Sequence, residues 1–403
     1  MKKFYSTFVA LIVLTVFSTI SVSAQQVPNP SFEDWSGEKY DDQIQLKDWY
    51  ASNVTQVGFK FNLAHREAGH TGSYSMMVQD TEVGAMGITE VSPGYFSLGK
   101  PWTHLPSITE INKATAGTSG GINFKYRPDS MSVWIKRTGA NVDKEDFYLL
   151  YYAWSGTAKS SKYKGKNGSC TSISQTNEES DIRLALDANE CGTDQKANQI
   201  AEGMWREKKE YGEWTNIRVP IYYFSNDVPT MMNIIFSASN YPNYRANDGL
   251  YKGNSLYVDD VELIYSSKIQ KLYVGGKEWK GFDPNTTEEQ TYSLGRSATA
   301  IPEIKAVRGV GSITNAKGET VAFSGRELSG SEISITNGAL DGAPTVITVK
   351  SEDGKSTTIY KIKFVREASK NAKLANIFVN GTPLSNFRPD VYSYTAELPY
   401  GTT

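Results

Sequence analysis

One twelve-residue stretch, Asn254–Tyr265, most constrains what this chain can fold into. It reads Asn-Ser-Leu-Tyr-Val-Asp-Asp-Val-Glu-Leu-Ile-Tyr, and a period of two places apolar residues on both faces. Such a pattern predicts a central strand that is covered on both sides. Asp259 and Asp260 must then be hydrogen-bonded, ion-paired or bound to a cation, because a bare buried carboxylate costs too much free energy. A strand end where both side chains reach solvent or turn amides is the alternative.

Further strand patterns recur through residues 27–265. Ser130–Lys136 alternates between apolar and polar residues, and Asp146–Trp154 is apolar on both faces and should therefore lie centrally. About eight or more such strands without βαβ alternation predict an antiparallel sandwich. The best helical candidates are Ile182–Ala188 and Lys196–Tyr211.

The N-terminus has the features of a secretory signal peptide over residues 1–24. Met1 and two lysines form a positive segment, an apolar run covers Phe4–Ile20, and small residues lead up to Ala24. The run is too short and too rich in Ser and Thr for a membrane anchor. We therefore expect cleavage after Ala24 and export to the periplasm, the cell surface or the extracellular space.

The charge balance argues against two classes of partner. Lys and Arg number 42 and Asp and Glu number 44, for a net charge of −2. The chain therefore has no electrostatic reason to bind nucleic acid or an anionic membrane surface. Its 24 Tyr, 8 Trp and 34 Gly residues indicate strands and turns rather than helices.

The only two cysteines are Cys170 and Cys191. In an oxidising compartment they can pair, which would close a polar loop. A metal site is the alternative, but two thiols at this separation with no nearby His match no zinc-binding spacing. We therefore predict a disulfide.

The two ends of the first region resemble a known family. Leu256–Leu263 (Leu-Tyr-Val-Asp-Asp-Val-Glu-Leu) resembles the closing strand of bacterial jelly-roll modules related to carbohydrate-binding modules. Asn29–Trp35 (Asn-Pro-Ser-Phe-Glu-Asp-Trp) resembles their opening strand. Together they resemble the carbohydrate-metabolism domain of secreted proteins of glycan-foraging bacteria, over residues 27–265. The resemblance implies a jelly-roll sandwich and, more weakly, a carbohydrate ligand.

The same resemblance implies a structural calcium ion. In related carbohydrate-binding jelly rolls the opening and closing strands are neighbours and hold Ca²⁺, which needs six to eight oxygen ligands. Glu33 and Asp259, with Asp260 as a further candidate, are the matching positions. Such an ion would brace the two ends of the domain rather than take part in chemistry.

Candidate ligand-binding residues are aromatic and polar residues in predicted loops and at a strand exit. Sugar rings present flat apolar faces and hydroxyl edges, which suit aromatic side chains beside amides and charged groups. Tyr-rich loops are also ordinary in secreted all-β proteins, so a purely structural role is the alternative. The candidates are Trp102, Trp154, Tyr241, Tyr244, Arg245 and Asp248.

No catalytic residues can be assigned from the sequence. A glycosidase needs two carboxyl groups facing each other across a cleft, and sequence offers no way to pair the available acids. Neither a Gly-x-Ser-x-Gly elbow nor a His-Glu-x-x-His helix occurs. The acids that the chain offers for such a pair include Asp80, Glu82, Glu90, Glu145 and Asp146.

After Tyr265 an internal repeat begins. Leu272–Pro284 aligns with Ile377–Pro389, a period of about 105 residues that suits tandem β-sandwich modules. Residues 268–367 also carry a closing hairpin with an Asp-Gly turn, and they resemble the cadherin-like or immunoglobulin-like spacers of bacterial surface proteins. Residues 372–403 hold only the start of a second copy. Because about 30 residues cannot bury a sandwich core, we expect further modules to follow, or this tail to add strands to a neighbour.

The sequence thus predicts an exported all-β protein, with an N-terminal jelly roll followed by immunoglobulin-like sandwich modules. Its most favoured function is non-catalytic glycan recognition. The alternatives are a glycoside hydrolase of the same jelly-roll group and a structural or adhesive protein that binds a protein partner.

Overall fold

The computed structural model describes residues 24–36, 45–56, 59–85, 87–104, 115–157, 162–164, 170–172, 196–239, 250–314, 320–323, 325–368 and 373–398. Within these ranges the regular structure is β-strand, apart from a 3-10 turn at Gly330–Glu332, so the all-β prediction is confirmed. None of the helical structure in the described ranges is long and apolar enough to cross a membrane.

The first region contains 22 strands in chain order. They are β1 (Trp35–Ser36), β2 (Gln45–Leu46), β3 (Tyr50–Ala51), β4 (Val54–Gln56), β5 (Phe59–Phe61), β6 (Ala64–Ala68), β7 (Tyr74–Gln79), β8 (Thr81–Ala85), β9 (Ile88–Ser92), β10 (Tyr95–Ser97), β11 (Lys100–His104), β12 (Thr115–Ser119), β13 (Ile122–Asn123), β14 (Ser130–Thr138), β15 (Phe147–Thr157), β16 (Lys162–Lys164), β17 (Cys170–Ser172), β18 (Lys196–Glu207), β19 (Tyr211–Pro220), β20 (Tyr222–Tyr223), β21 (Met231–Ser237) and β22 (Ser255–Ile264).

Two antiparallel sheets form the body of this region. A seven-stranded sheet has the order β20-β18-β15-β21-β10-β3, with β13 also paired to β21, and a five-stranded sheet has the order β19-β14-β22-β7-β6. One continuous apolar core contains residues of both sheets, including Met131, Val133 and Ile135 of β14 and Leu149 and Tyr151 of β15. This arrangement is the sandwich that the strand patterns predict.

Strand β22 is the middle strand of its sheet, as predicted, but the expectation that it is covered on both faces is wrong. Its register with β14 shifts so that two residues, Asp260 and Val261, lie opposite Val133. Asp260 takes a positive φ of 48°, which makes this a β-bulge. The extra residue reverses the alternation, so a single face stays apolar along the whole strand. The residues on that buried face are Leu256, Val258, Val261 and Leu263.

The segment Lys196–Tyr211 is not helical, contrary to expectation. It forms β18, which pairs with β15 along its whole length, and Tyr211 begins β19. Burial of Ile200 and Ala201 in the core overrides the helix preference of its Ala, Glu and Lys residues. The other helical candidate, Ile182–Ala188, lies outside the described residues. Strand β15 is buried on both faces and central, as predicted.

The second region contains twelve further strands, which carry the numbers from 23 to 34 in chain order. They are β23 (Lys271–Val274), β24 (Lys277–Glu278), β25 (Glu289–Leu294), β26 (Ile304–Arg308), β27 (Gly311–Thr314), β28 (Thr320–Phe323), β29 (Arg326–Glu327), β30 (Ile333–Thr336), β31 (Thr345–Lys350), β32 (Thr357–Arg366), β33 (Phe378–Val379) and β34 (Thr382–Pro383).

Two four-stranded sheets organise these strands. Their orders are β24-β23-β26-β29 and β25-β32-β31-β30, and β25 runs parallel to β32. The predicted closing hairpin is β31 and β32, with Gly354 at a φ of 69° in the turn. The chain divides into two compact units. The first unit contains the residues up to Asn285 together with Ile304–Ser334 and Thr348–Thr358. The second contains the segments between these ranges and the residues from Ile359 onward.

The internal repeat has the same local structure in both copies. Trp279 N donates to Leu272 O at 2.8 Å, and Leu384 N donates to Ile377 O at the same distance. Each hairpin turns through two residues of positive φ, Gly275–Gly276 in the first copy and Asn380–Gly381 in the second. The repeat found in the sequence is therefore also a repeat of backbone geometry.

A buried ionic cluster lies within the first unit. Arg326 forms two hydrogen bonds of 2.5 Å with the carboxylate of Glu332, and Arg308 approaches the same carboxylate at 3.5 Å. Arg308 also lies 3.7 Å from Asp129, which accepts a 2.5 Å hydrogen bond from Ser266 N. Because Asp129 belongs to the turn before β14, this cluster ties residues of the second region to the first sandwich.

We expect Glu332→Gln to lower the free energy of unfolding by roughly 3 kcal/mol, because it leaves two buried guanidinium groups without their shared carboxylate. The matched control is Glu327→Gln, since Glu327 forms an exposed ion pair with Lys305 at 3.4 Å and should cost at most about 1 kcal/mol. Urea denaturation of both variants measures the difference, and equal losses would contradict the assigned role.

Candidate functional site

Two predicted metal ligands, Glu33 and Asp259, hold the turn between β6 and β7. Glu33 Oε1 accepts hydrogen bonds from the backbone N–H groups of Ser73 (2.8 Å) and Tyr74 (2.9 Å). Asp259 Oδ2 accepts from His70 N at 2.7 Å and from Thr71 N at 3.3 Å. The two carboxylates thus satisfy backbone donors of a turn that has no ladder partner there.

Glycine is favoured at the centre of this turn. Gly72 has a φ of 65°, and a Cβ atom there would lie 2.4 Å from Glu33 Oε1. The left-handed backbone disfavours a side chain, and any side chain would displace the carboxylate of Glu33. The turn geometry and the position of Glu33 therefore depend on each other.

The third predicted ligand, Asp260, faces the same turn through side chains. Its Oδ2 lies 2.8 Å from His70 Nδ1, and Thr71 Oγ1 donates to both of its oxygens, at 2.8 and 2.9 Å. Burial opposes ionisation of Asp260, but the hydrogen bonds from His70 and Thr71 outweigh it and lower its pKa. Asp260 is thus a carboxylate that fixes the orientation of the His70 ring.

The environment of Asp259 has the opposite effect on its pKa from that of Asp260. Asp259 is fully buried, and this burial, with the charge of Asp260, raises its pKa to about 6 against the effect of its amide hydrogen bonds. Its Oδ1 accepts from Asp260 N at 2.8 Å, so both oxygens are bound to backbone donors. A substrate cannot reach this group.

These contacts do not fit a calcium ion well. Calcium needs oxygen ligands with free lone pairs, whereas Glu33 Oε1 and Asp259 Oδ2 each accept two amide hydrogens and Asp259 Oδ1 accepts one. Across the described part of the chain, no group of three or more His, Cys, Asp or Glu side chains is placed to hold a metal. Calcium binding remains a prediction, which a chelation experiment tests.

Next to this turn lies a row of aromatic side chains on the solvent side of the five-stranded sheet. We call it the aromatic face and define it as His70, Trp134, Lys136, Trp214 and Tyr257. The rings of His70 and Trp134 stack at 3.9 Å between centroids with an interplanar angle of 16°, and Trp214 meets His70 edge-on at 5.8 Å. All five side chains are half-buried, so each is partly open to solvent.

Lys136 joins the other two rings of this face. Its ammonium lies 4.2 Å from the ring centroid of Tyr257 and 5.8 Å from that of Trp214. These are cation–π distances. The face therefore combines rigid aromatic surfaces, a positive charge and, through Asp260, a negative one.

Trp154, a predicted ligand residue, is not on an open surface. Its side chain is 0% exposed and packs with Tyr148, Tyr152 and Ile235 on the face of the seven-stranded sheet that points away from the main core. As described, this ring cannot contact a ligand from solvent. Among the described residues, none accepts a hydrogen bond from its buried indole Nε1.

The other predicted residues are placed only in part. Trp102 lies in β11, paired with Gly117 of β12. Cys170 begins β17, and its predicted partner Cys191 lies outside the described residues, so the disulfide stays a prediction. Four further candidates, Tyr241, Tyr244, Arg245 and Asp248, also lie outside the described residues.

The structure brings together two acids that the sequence could not pair. Asp80 Oδ1 accepts hydrogen bonds from Gly94 N (3.0 Å) and Ser239 Oγ (2.9 Å). Asn254 Nδ2 donates to Glu145 Oε1 at 2.5 Å. Both carboxyl groups are enclosed at one end of the sandwich, with Asp80 0% and Glu145 5% exposed.

Burial raises the pKa of Asp80 well above its usual value, and the neighbouring Glu145 raises it further. Burial also raises the pKa of Glu145. The guanidinium of Arg137 is fully buried beside the pair, and its Nη2 donates to the backbone carbonyl of Glu145 at 3.0 Å. An enclosed group of this kind does not supply the open carboxyl pair that glycoside hydrolysis needs.

The aromatic face was not identified as a site from the sequence, although part of its pattern was visible. Once Met131, Val133 and Ile135 are assigned to the core, a period of two places Trp134 and Lys136 on the opposite face. What sequence could not show is that Trp214 and Tyr257 come from the two strands beside them.

No protein-family model and no curated protein matches this chain. Among solved structures it is similar to a "putative glycoside hydrolase" of Bacteroides thetaiotaomicron, with 17% identity over 59% of this chain and 71% of that chain and a TM-score of 0.37. A "putative glycoside hydrolase" of Bacteroides vulgatus is 15% identical over 58% of this chain and 96% of that chain, with a TM-score of 0.34. A "putative sugar binding protein" of Bacteroides thetaiotaomicron is 10% identical over 59% of this chain and 98% of that chain, with a TM-score of 0.26. TM-scores below 0.5 carry no argument about function, which must come from the site.

We expect Asp259→Asn to cost about 1–3 kcal/mol of unfolding free energy, since its NH₂ group would face one of the three backbone donors that the carboxylate now satisfies. The matched control is Glu262→Gln, an exposed carboxylate of the same strand, which should change stability by at most about 0.5 kcal/mol. The loss should be the same in calcium and in a chelator. A wild-type melting temperature that falls by several degrees on chelation would instead show that these carboxylates hold calcium.

Asp80→Asn should flatten the pH dependence of stability. A carboxyl whose pKa is raised by folding stabilises the protein fully below its unfolded pKa, near 4, and this contribution is lost as the pH rises through the folded value. The Asn variant should therefore gain stability relative to the wild type as the pH rises above about 4 toward the raised pKa of Asp80. Urea denaturation at a series of pH values from there upward measures it, with the exposed Asp143→Asn as control; parallel curves for Asp80→Asn and the wild type would contradict the raised pKa.

Proposed function

We propose that this chain recognises carbohydrate without catalysis, and that the aromatic face of the five-stranded sheet is the binding surface. The observation that carries the proposal is the half-exposed row of rings on a rigid sheet, bordered by hydrogen-bonding side chains. An aromatic ring beside polar groups is the arrangement that the apolar faces and hydroxyl edges of a sugar require.

The rings are held in place before any ligand arrives. The stack of His70 on Trp134 and the hydrogen bond from His70 to Asp260 immobilise the centre of the face. The cation–π contacts of Lys136 fix Trp214 and Tyr257 on either side. Preorganised side chains lose little conformational entropy on binding, which favours affinity for a weakly apolar ligand such as a sugar.

Polar groups along the same face can meet sugar hydroxyls. Ser132 of β14 and Asn216 of β19 are diagonal neighbours and exchange hydrogen bonds at 2.9 and 3.3 Å on the solvent side. Thr71 and Asp260 supply a hydroxyl and a carboxylate at the other border. These donors and acceptors would orient a bound sugar, and the rings would supply the contact area for it.

Binding is favoured over hydrolysis by the placement of the acids. Asp80 and Glu145 are enclosed, and the oxygens of Asp259 are bound to backbone amides, so none of them can protonate a glycosidic oxygen. The proposed role agrees with the predicted signal peptide, which would bring the protein to polysaccharides outside the cytoplasm.

We expect Trp214→Ala to weaken glycan binding by roughly tenfold or more, because it removes one ring of the face and a contact worth about 1.4 kcal/mol. The test is a glycan array followed by calorimetry on the full mature chain. The control is Tyr392→Ala, which removes a ring that is 94% exposed and lies outside the sandwich.

Turnover of a bound glycan would contradict the non-catalytic part of the proposal and favour the hydrolase alternative. Glycan binding that Trp214→Ala leaves unchanged, with an unchanged melting temperature, would place the site elsewhere. Absence of any glycan binding would contradict the proposed function and favour a protein partner.

A further inference from the structure

We propose that the glycan bound on the aromatic face carries an anionic group, either a uronic-acid carboxylate or a sulfate ester, and that Lys136 binds it. This inference rests on the proposed function and narrows its substrate class. It rests on the position of Lys136, on the lack of an ion-pair partner for its charge among the described residues, and on the charge of the whole chain.

Lys136 lies at a position where the register of the sheet is irregular. It lies opposite Tyr257 in the pairing of β14 with β22. In the pairing of β14 with β19 the register shifts at this residue, so that Gly212–Trp214 of β19 lie opposite it. A local irregularity of this kind re-aims side chains, and the ring of Trp214 lies near the ammonium as a result. Lys136 is thus flanked by one aromatic ring from each neighbouring strand.

The charge of Lys136 is not paired with a carboxylate. Within the described part of the chain, no Asp or Glu oxygen lies within ion-pair distance of its ammonium, whereas Lys252 pairs with Glu82 at 2.7 Å and Lys271 with Glu278 at 3.2 Å. Asp259 and Asp260 of the neighbouring strand direct their oxygens to the β6–β7 turn. The exposed Glu213, in the segment opposite Lys136, forms no ion pair with it.

Two rings attract a cation but do not neutralise it. The quadrupoles of Trp214 and Tyr257 hold the ammonium in place, and its side chain remains partly open to solvent. An anion that arrives with the ligand would complete the site through a charge-assisted hydrogen bond at an ammonium that is already positioned. Neighbouring rings would at the same time contact the apolar face of the sugar that carries the anion.

The whole chain does not attract anions. Its net charge is −2, so a preference for an acidic glycan cannot come from the overall electrostatic field. Such a preference would have to be local, and Lys136 is the residue of the aromatic face whose charge should account for it. The substitution of one residue can therefore decide the question.

The experiment compares matched glycans on the full mature chain. Uronic-acid oligosaccharides are paired with their carboxyl-reduced forms, and a sulfated galactan oligosaccharide is paired with its desulfated form. The wild type should bind one of the acidic members about five- to tenfold more tightly than its neutral partner at low salt, and most of this preference should disappear at about 0.5 M salt. A preference within the uronic-acid pair would identify a carboxylate as the bound anion, and a preference within the sulfated pair would identify a sulfate.

Three variants separate the charge from the fold. Lys136→Met keeps the length and packing of the side chain and should abolish the preference while the neutral glycan still binds; Lys136→Arg should retain it. The control is Lys125→Met, another lysine near a tyrosine ring, at 5.9 Å from the centroid of Tyr126, which should leave the preference unchanged.

The outcomes distinguish this inference from the proposed function. Equal binding of acidic and neutral members, or a preference that survives in Lys136→Met, would overturn the inference while leaving glycan binding in place. If no glycan of either kind binds, both the inference and the proposed function fail. Melting temperatures of all variants show whether any loss comes from unfolding.

Discussion

The arrangement of the site depends on one extra residue in β22. Asp260 adopts a left-handed backbone conformation, which an Asp tolerates better than most residues, and it inserts a bulge in the middle of a five-stranded sheet. Because of the bulge, the apolar residues that precede it and those that follow it all face the core. The bulge also turns two consecutive carboxylates toward the β6–β7 turn, where they order the backbone and orient His70. Without the bulge, half of the strand would present its apolar residues to solvent.

Carboxylates of the first unit are stabilised by donors that the fold brings to them. The exposed Glu33 and the buried Asp259 accept backbone amide hydrogens of the β6–β7 turn. Glu332 binds two arginines, of which Arg326 lies only six residues away in the chain. These contacts stabilise the connections between strands, where no ladder of backbone hydrogen bonds is available.

The aromatic face owes its rigidity to the same framework. Trp134, Lys136 and Tyr257 project from strands whose opposite faces are fixed in the core, and His70 is held by Asp260. A surface built on a sheet is more precisely positioned than one built on loops. This is the physical reason to place ligand recognition here rather than in the enclosed cluster around Trp154, whose rings are covered.

The sequence by itself determined the all-β class, the central positions of β15 and β22, the β31–β32 hairpin and the repeat, because these depend on local periodicity and turn residues. It misread Lys196–Tyr211, where pairing with β15 overrides helix preference, and it read β22 as covered on both faces because periodicity cannot show a bulge. Only the tertiary structure decided that Asp80 meets Glu145, that Trp154 is enclosed, and that Trp214 and Tyr257 flank Lys136. Those relations join residues that are far apart in the chain, and strand order and register set them, neither of which any single stretch of sequence encodes.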